Sequence, residues 1–168
     1  MPEQTPISPL TTQAANPPDS GPSMLLDSMH LSLDNEQGSL NPLAAAVEAF
    51  ADIHDWPADV KLHVDLVLEE LVQNIVSYGY PDGRPGRIEV TLRQESQRIS
   101  LTVEDDGDAF DPFKQPDPDF TLDLEDRPIG GLGIHLIRKL MDGHVYRRVA
   151  GHNRVDLEKS LLSEAVPD

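Results

Sequence analysis

Two short runs, RIEVTLR (87–93) and RISLTVE (98–104), constrain this chain most. Apolar residues alternate with polar ones in both: Ile88, Val90 and Leu92, then Ile99, Leu101 and Val103. Side chains of a strand repeat every two residues, so each run puts its apolar set on one face. The polar link QESQ joins them as a hairpin with one wet face. The dry face needs a covering layer, and helical stripes elsewhere in the chain provide it.

Asn41-Pro42 reads as an N-cap followed by a proline at the first helical position. It opens a helix over NPLAAAVEAFADIHDW that stops before Pro57. A second helix is predicted over 58–78 and is ended by Gly79, with Pro81 and the turn Asp82-Gly83 beyond. At about 100° per residue, Val60, Val64, Val67, Leu68, Leu71 and Ile75 share one stripe. Upstream, MHLSLDN alternates as a first strand. From Asp105 to Ile129 the chain is rich in Asp and Pro with little periodicity, the pattern of a lid or binding loop. A short helix, IHLIRKLMD, and a second hairpin, HVYRRV with NRVDLEKSL around Ala150-Gly151, complete the order. The sequence β-α-α-β-β-loop-α-β-β predicts an α+β fold. Its two layers are a mixed, mostly antiparallel sheet and helices on one face. Residues 1–26 read as a disordered tail of Pro, Ser, Thr, Gln and Asn, and 27–165 as the domain.

Charge and composition narrow the function. The net charge is −17 and no Lys or Arg precedes Lys61, which argues against a nucleic-acid-binding face. The absence of cysteine excludes disulfides, thiolate zinc sites and a cysteine nucleophile. No stretch is long and apolar enough to span a membrane, and no secretory signal pattern opens the chain. A cytoplasmic protein is expected.

Three polar constellations remain. In EELVQNIVSYGY, Glu70 and Asn74 lie one turn apart on the shoulder of the apolar stripe, with His63 and Ser77 near the same edge, while Glu69 faces solvent. A carboxylate and an amide oxygen so placed could hold a water and a hard cation such as Mg²⁺, or form a plain helix boundary. In EDDGDAFDP (104–112), Asp105 stands at the strand end and Gly107 permits a tight turn or a close ligand. The glycine is misplaced for an EF-hand, and an acidic turn is the bland alternative. In GGLGIHLIRKL, glycines precede a helix start, whose free N–H groups and dipole suit a phosphate.

In this order, the three motifs resemble the N, G1 and G2 boxes of the Bergerat-fold (histidine-kinase-like) ATPases. Within that superfamily the chain looks most like the anti-sigma-factor serine/threonine kinases of the RsbW type. EELVQNIVSYGY, DDGDAFDP, DRPIGGLGIHLIRKLMD and GHNRVDLEKSL carry the likeness. The resemblance implies an ATP and Mg²⁺ site. Glu70 would be the general base and Asn74 the Mg²⁺ ligand. Asp105 would accept from the adenine amino group, with Gly107 letting the base approach the backbone. Ala109, Phe110, Arg127, Gly130, Gly131, Leu132, Gly133, Ile134 and Asn153 would complete the nucleotide site, Gly131 and Gly133 wrapping the phosphates. Residues 111–129 would be the ATP lid. The implied partners are a STAS-domain anti-sigma antagonist, as phospho-acceptor, and a sigma factor; homodimerisation is common in that family.

The pattern has departures. Ala109 stands where a second glycine is frequent, and Tyr78 where related kinases often carry histidine. Arg127 either reaches a γ-phosphate or pairs with lid carboxylates. The alternative is an ATP-binding switch that sequesters a partner with little or no kinase activity. A histidine-kinase catalytic domain is a weaker rival, because no dimerisation helix with an acceptor histidine precedes the domain.

Overall fold

The structure is a computed structural model, and it describes residues 23–25, 27–114 and 132–162. Six strands and three α-helices are described: β1 (Ser23–Leu25), β2 (Ser28–Asp34), α1 (Leu40–Ile53), α2 (Ala58–Tyr78), β3 (Arg87–Glu95), β4 (Arg98–Asp105), α3 (Leu132–Leu140), β5 (Gly143–Val149) and β6 (His152–Ser160). The strands form one sheet in the order β1-β2-β3-β4-β6-β5.

Every described pairing is antiparallel, where a mixed sheet was expected. The connections explain this. Helices α1 and α2 run out and back, so β3 begins beside the end of β2, with Asp34 opposite Arg87. The single helix α3 does return the chain in the direction of β4, but β6 lies between β4 and β5. The two like-directed strands therefore never pair. Pairing also begins before residue 27, because Ser23–Leu25 run against Ser28–His30.

One sheet face carries the core. Met29, Leu31, Leu33, Ile88, Val90, Leu92, Ile99, Leu101, Val103, Val155 and Leu157 are all buried, beneath Leu43, Val47 and Phe50 of α1 and Val60, Val64, Val67, Leu68 and Leu71 of α2. The α2 stripe matches the expected one, with Val72 added and Ile75 only partly buried. On the other face polar side chains pair across strands. Ser32 Oγ donates to Glu89 Oε1 at 2.7 Å and Thr102 Oγ1 to Asp156 Oδ1 at 2.8 Å. Such cross-strand pairs steady a wet sheet face without burying it.

The start of α1 differs from expectation. The helix begins at Leu40, after a 3₁₀ turn over Gln37–Ser39, so Asn41 lies inside it and Ser39 is the N-cap residue. Pro42 is tolerated because first-turn N–H groups have no helical acceptor to lose. The Ser39 hydroxyl donates to the Asp34 carbonyl at 2.6 Å, tying the helix entry to β2. At the other end α1 stops at Ile53, and Trp56 N donates back to the Ala51 carbonyl at 3.0 Å. That reversal lays Trp56 edge-on against Phe50, ring centroids 5.6 Å apart.

Candidate functional site

Strand alternation brings the second motif to the first. In β4, Ile99, Leu101 and Val103 face the core, and the next residue in that phase is Asp105, only 4% exposed. In the β4–β6 register Asp105 stands opposite Asn153, which is 5% exposed. Asn74, on the shoulder of α2, faces the same space. One cavity is lined by Asn74, Asp105, Phe110, Ile134 and Asn153, with Leu71 and Val155 as its apolar walls. Five of the expected site residues thus share a cavity.

Asn153 ties this corner together. Its Nδ2 donates to Asp105 Oδ1 and to the Asp108 carbonyl, both at 2.8 Å. Its Oδ1 accepts from Phe110 N at 3.2 Å, Tyr146 OH at 2.8 Å and an Arg148 guanidinium N–H at 2.8 Å. Every polar atom of that amide is occupied by protein, so Asn153 holds the turn and β5 together. Asp105 Oδ1 also accepts from Gly107 N at 2.9 Å, whereas Oδ2 accepts nothing among the described residues. Burial pushes the Asp105 carboxyl up from the usual range. The bonds from Asn153 and Gly107 and the charge of Arg148 pull it back, while Asp106 adds to the push.

Gly107 answers to the protein itself. A Cβ there would lie 2.7 Å from both Asp105 Oδ1 and the Gly79 carbonyl oxygen. That carbonyl accepts from Asp108 N at 2.8 Å, so the turn is clamped onto the end of α2. Gly79 itself keeps a helical φ of −70°. Its position, packed under the turn, matters more than left-handed freedom. Ala109 is exposed and Phe110 half-exposed.

The third motif reaches the first through a direct contact. Gly133, near the start of α3, has no Cβ; one placed there would meet Glu70 Oε2 at 2.0 Å. The Glu70 carboxylate therefore lies against the N-terminal end of α3. Glu70 and Asn74 have no hydrogen-bond partner among the described residues. Arg127, Gly130, Gly131 and most of the expected lid fall outside the described residues, as does the side chain of Leu132.

A second clamp had no place in the sequence reading. Tyr80 OH donates to Asp106 Oδ1 at 2.7 Å, and Arg87 N donates to the same oxygen at 2.9 Å. Arg84 donates to the Asp106 carbonyl at 2.8 Å and lies over the Tyr80 ring, 5.0 Å from its centroid. Burial acts to raise the Asp106 carboxyl. The bonds from Arg87 and Tyr80 and the charge of Arg84 outweigh it and hold the group below the usual range. Burial, then the bond to Asp106, push the Tyr80 phenol well above its ordinary value. Tyr146 and Arg148 were missed as well. The two-residue turn Ala150-Gly151, with φ of 50° and 86°, sets Arg148 opposite Asn153. That register was a usable signal.

The antiparallel sheet under three helices, with an apolar-walled cleft holding Asn74, Asp105 and Asn153 between α2, α3 and the end of β4, defines an ATPase domain of the α+β sandwich type. The chain belongs to the histidine kinase-like ATPase domain family, whose model matches residues 33–159. It is 35% identical over 113 residues to the serine/threonine-protein kinase BtrW of Bordetella bronchiseptica, covering 67% of this chain and 77% of that one. It is 34% identical over 83 residues to the serine-protein kinase RsbW of Bacillus velezensis, covering 46% of this chain and 51% of that one. The RsbU and RsbW domains of Rv1364c from Mycobacterium tuberculosis share the fold, with a TM-score of 0.58 at 16% identity over 79% of this chain and 32% of that one.

Proposed function

We propose that this chain is an ATP-dependent serine/threonine protein kinase and anti-sigma regulatory factor. Its phospho-acceptor would be a STAS-domain anti-sigma antagonist and its sequestered partner a sigma factor. The observation that carries the reading is the shared cavity of Asn74, Asp105, Phe110, Ile134 and Asn153, where Asp105 Oδ2 has no hydrogen-bond donor among the described residues. An unbonded acceptor of a largely buried residue favours a ligand that carries the matching N–H. The adenine amino group is such a donor, and Leu71, Val155 and Ile134 offer apolar surface to the ring.

The residues present fit Mg²⁺ in one way. No group of three or more His, Asp or Glu among the described residues could hold a metal by itself. Asn74 offers one neutral oxygen and has no hydrogen-bond partner among the described residues. Mg²⁺ keeps waters and takes phosphate oxygens, so one protein ligand beside a nucleotide is enough. When bound it supplies charge neutralisation at the phosphates. Glu70, one turn before Asn74, takes the proton of the attacking Ser or Thr hydroxyl. The hydroxyl oxygen bonds to the γ-phosphorus as the bond to the ADP oxygen breaks. The start of α3, against which Glu70 rests, presents N–H groups toward the phosphates. A cytoplasmic setting fits a chain without cysteine.

The test is calorimetry with Mg²⁺-ATP and Mg²⁺-ADP, joined to a phosphoryl-transfer assay on a candidate antagonist. Native chain should bind both nucleotides, and Asn74→Ala should lose the Mg²⁺-dependent part. Glu70→Ala should keep nucleotide binding and lose transfer by about a hundredfold or more. Transfer that survives in Glu70→Ala removes the general-base role. Binding without transfer in the native chain favours the sequestering switch.

A further inference from the structure

The Asp105 corner of the cleft is held in part from β5, outside the three motifs. Asp105 Oδ1 receives two N–H donors, from Asn153 Nδ2 and Gly107 N. The direction of the Asn153 amide follows from its neighbours. Three donors converge on its Oδ1 and two acceptors on its Nδ2, so the reverse orientation would set donor against donor. A proton on Asp105 consequently has no place on Oδ1 and belongs on Oδ2, the atom left to the ligand.

The state of Oδ2 then fixes its chemistry. Ionised, it only accepts, and it matches the amino group of a 6-aminopurine. Protonated, it donates, and it matches the carbonyl of a 6-oxopurine. The charged and titratable groups around it are Arg148 from β5, Asp106 next in the chain and Tyr80 after α2. Arg84 is turned away to Asp82, Asp108 and the Asp106 carbonyl. Arg148 is the cation set against Asp105. Its guanidinium donates to Asn153 Oδ1 at 2.8 Å and to the Gly107 carbonyl at 3.0 Å. It thus holds both residues that donate to Asp105.

We propose that Arg148, acting through Asn153 and Gly107, is a positioning residue that keeps Asp105 an acceptor and so makes the cleft selective for 6-aminopurine over 6-oxopurine nucleotides. The proposal rests on the reading of this cleft as a nucleotide site. Tyr146 shares the hold on Asn153 but brings no charge, so its loss loosens the amide without changing the state of Oδ2. The burial that pushes Asp105 upward makes the cation necessary: without it, the carboxyl takes its proton at higher pH.

The experiment is calorimetric titration of the full chain with Mg²⁺-ATP and Mg²⁺-ITP from pH 5.5 to 8. The variants are Arg148→Met, Arg148→Lys and Tyr146→Phe. Arg148 is an exposed residue outside the hydrophobic core, so the methionine leaves the core intact. The native chain should prefer ATP. Arg148→Met should shrink the ATP-to-ITP ratio by about tenfold, the scale of one lost charge-assisted interaction, and most at the acid end. Arg148→Lys should restore most of the ratio, and Tyr146→Phe should weaken both nucleotides alike. An unchanged ratio in Arg148→Met, with ATP still bound by the native chain, overturns the proposal alone. No nucleotide binding by the native chain overturns both the proposal and the reading beneath it.

Discussion

The cleft has two walls, and an asparagine stands on each. Asn153, on the strand wall, has every polar atom of its amide bonded to protein. Asn74, on the helix wall, lines the same cavity and has no hydrogen-bond partner among the described residues. Glu70, one turn earlier, is equally unattached, although its carboxylate is packed against Gly133. A side chain whose bonds are all made inside the protein cannot also serve a ligand without breaking them. One left open beside a cavity can serve at no such cost. Among the described residues, the strand wall is bonded within itself except at Asp105 Oδ2, and the helix wall keeps Asn74 and Glu70 unbonded.

The largest effect should come from breaking the strand wall. Asn153→Leu strips partners from Asp105, Asp108, Phe110, Tyr146 and Arg148 at once. Urea unfolding should show a loss of about 3 kcal/mol or more, because several of these groups stay out of water. Asn74→Ala should move the same measurement by less than about 0.5 kcal/mol. Comparable losses in the two variants would erase the difference between the walls.

Asp105→Asn comes next and separates binding from stability. An asparagine can still accept from Asn153 and Gly107 through its oxygen, but it then turns its NH₂ to the ligand. ATP affinity should fall by roughly a hundredfold, as for a donor set against a donor. Stability should hold or rise at neutral pH. The folded-state carboxyl is raised, so its favourable contribution is present below the unfolded value and lost as pH rises through the folded one. Removing the charge removes that neutral-pH penalty. A variant that loses stability at pH 7 while still binding ATP would reverse the assignment.

The helix wall was legible in the sequence because one helix carries it. Glu70 and Asn74 are four residues apart, and the 3.6-residue repeat alone places them together on the shoulder of the stripe. Strand alternation likewise took Asp105 to the sheet end. The scaffold role of Asn153 was not legible, because its partners come from two separate stretches, one of them distant in the chain. Phe110 is 43 residues away along the chain, and Asp105 is 48. Gly107 illustrates the limit differently. A glycine after a strand signals close approach, but not of what. Here the neighbour is the Gly79 carbonyl, brought in by the end of α2. The sheet was expected to be mixed; β5 does run along the direction of β4, but the two do not pair. Where β6 would insert is not written in the local pattern of any strand.

The smallest effect sharpens the comparison at the neighbouring residue, Asp106. Two adjacent carboxyls are shifted in opposite directions: Asp105 upward and Asp106 downward. Asp106 is tied by Tyr80 OH and Arg87 N, and its charged form is the one those donors favour. A depressed carboxyl contributes stability above its unfolded value, and that contribution is lost as pH falls through the folded value. Tyr80→Phe removes one donor and leaves the buried ring in place, so the cost should be about 1 kcal/mol at pH 7. The gap between native and variant should then narrow in acid, as Asp106 takes up its proton and no longer needs the phenol. Urea titrations taken stepwise from pH 7 down to the acid unfolding limit measure it. A gap that stays constant would mean that the phenol acts through its other partner, the Arg87 carbonyl at 3.3 Å, and that the hydrogen bond to Asp106 adds nothing.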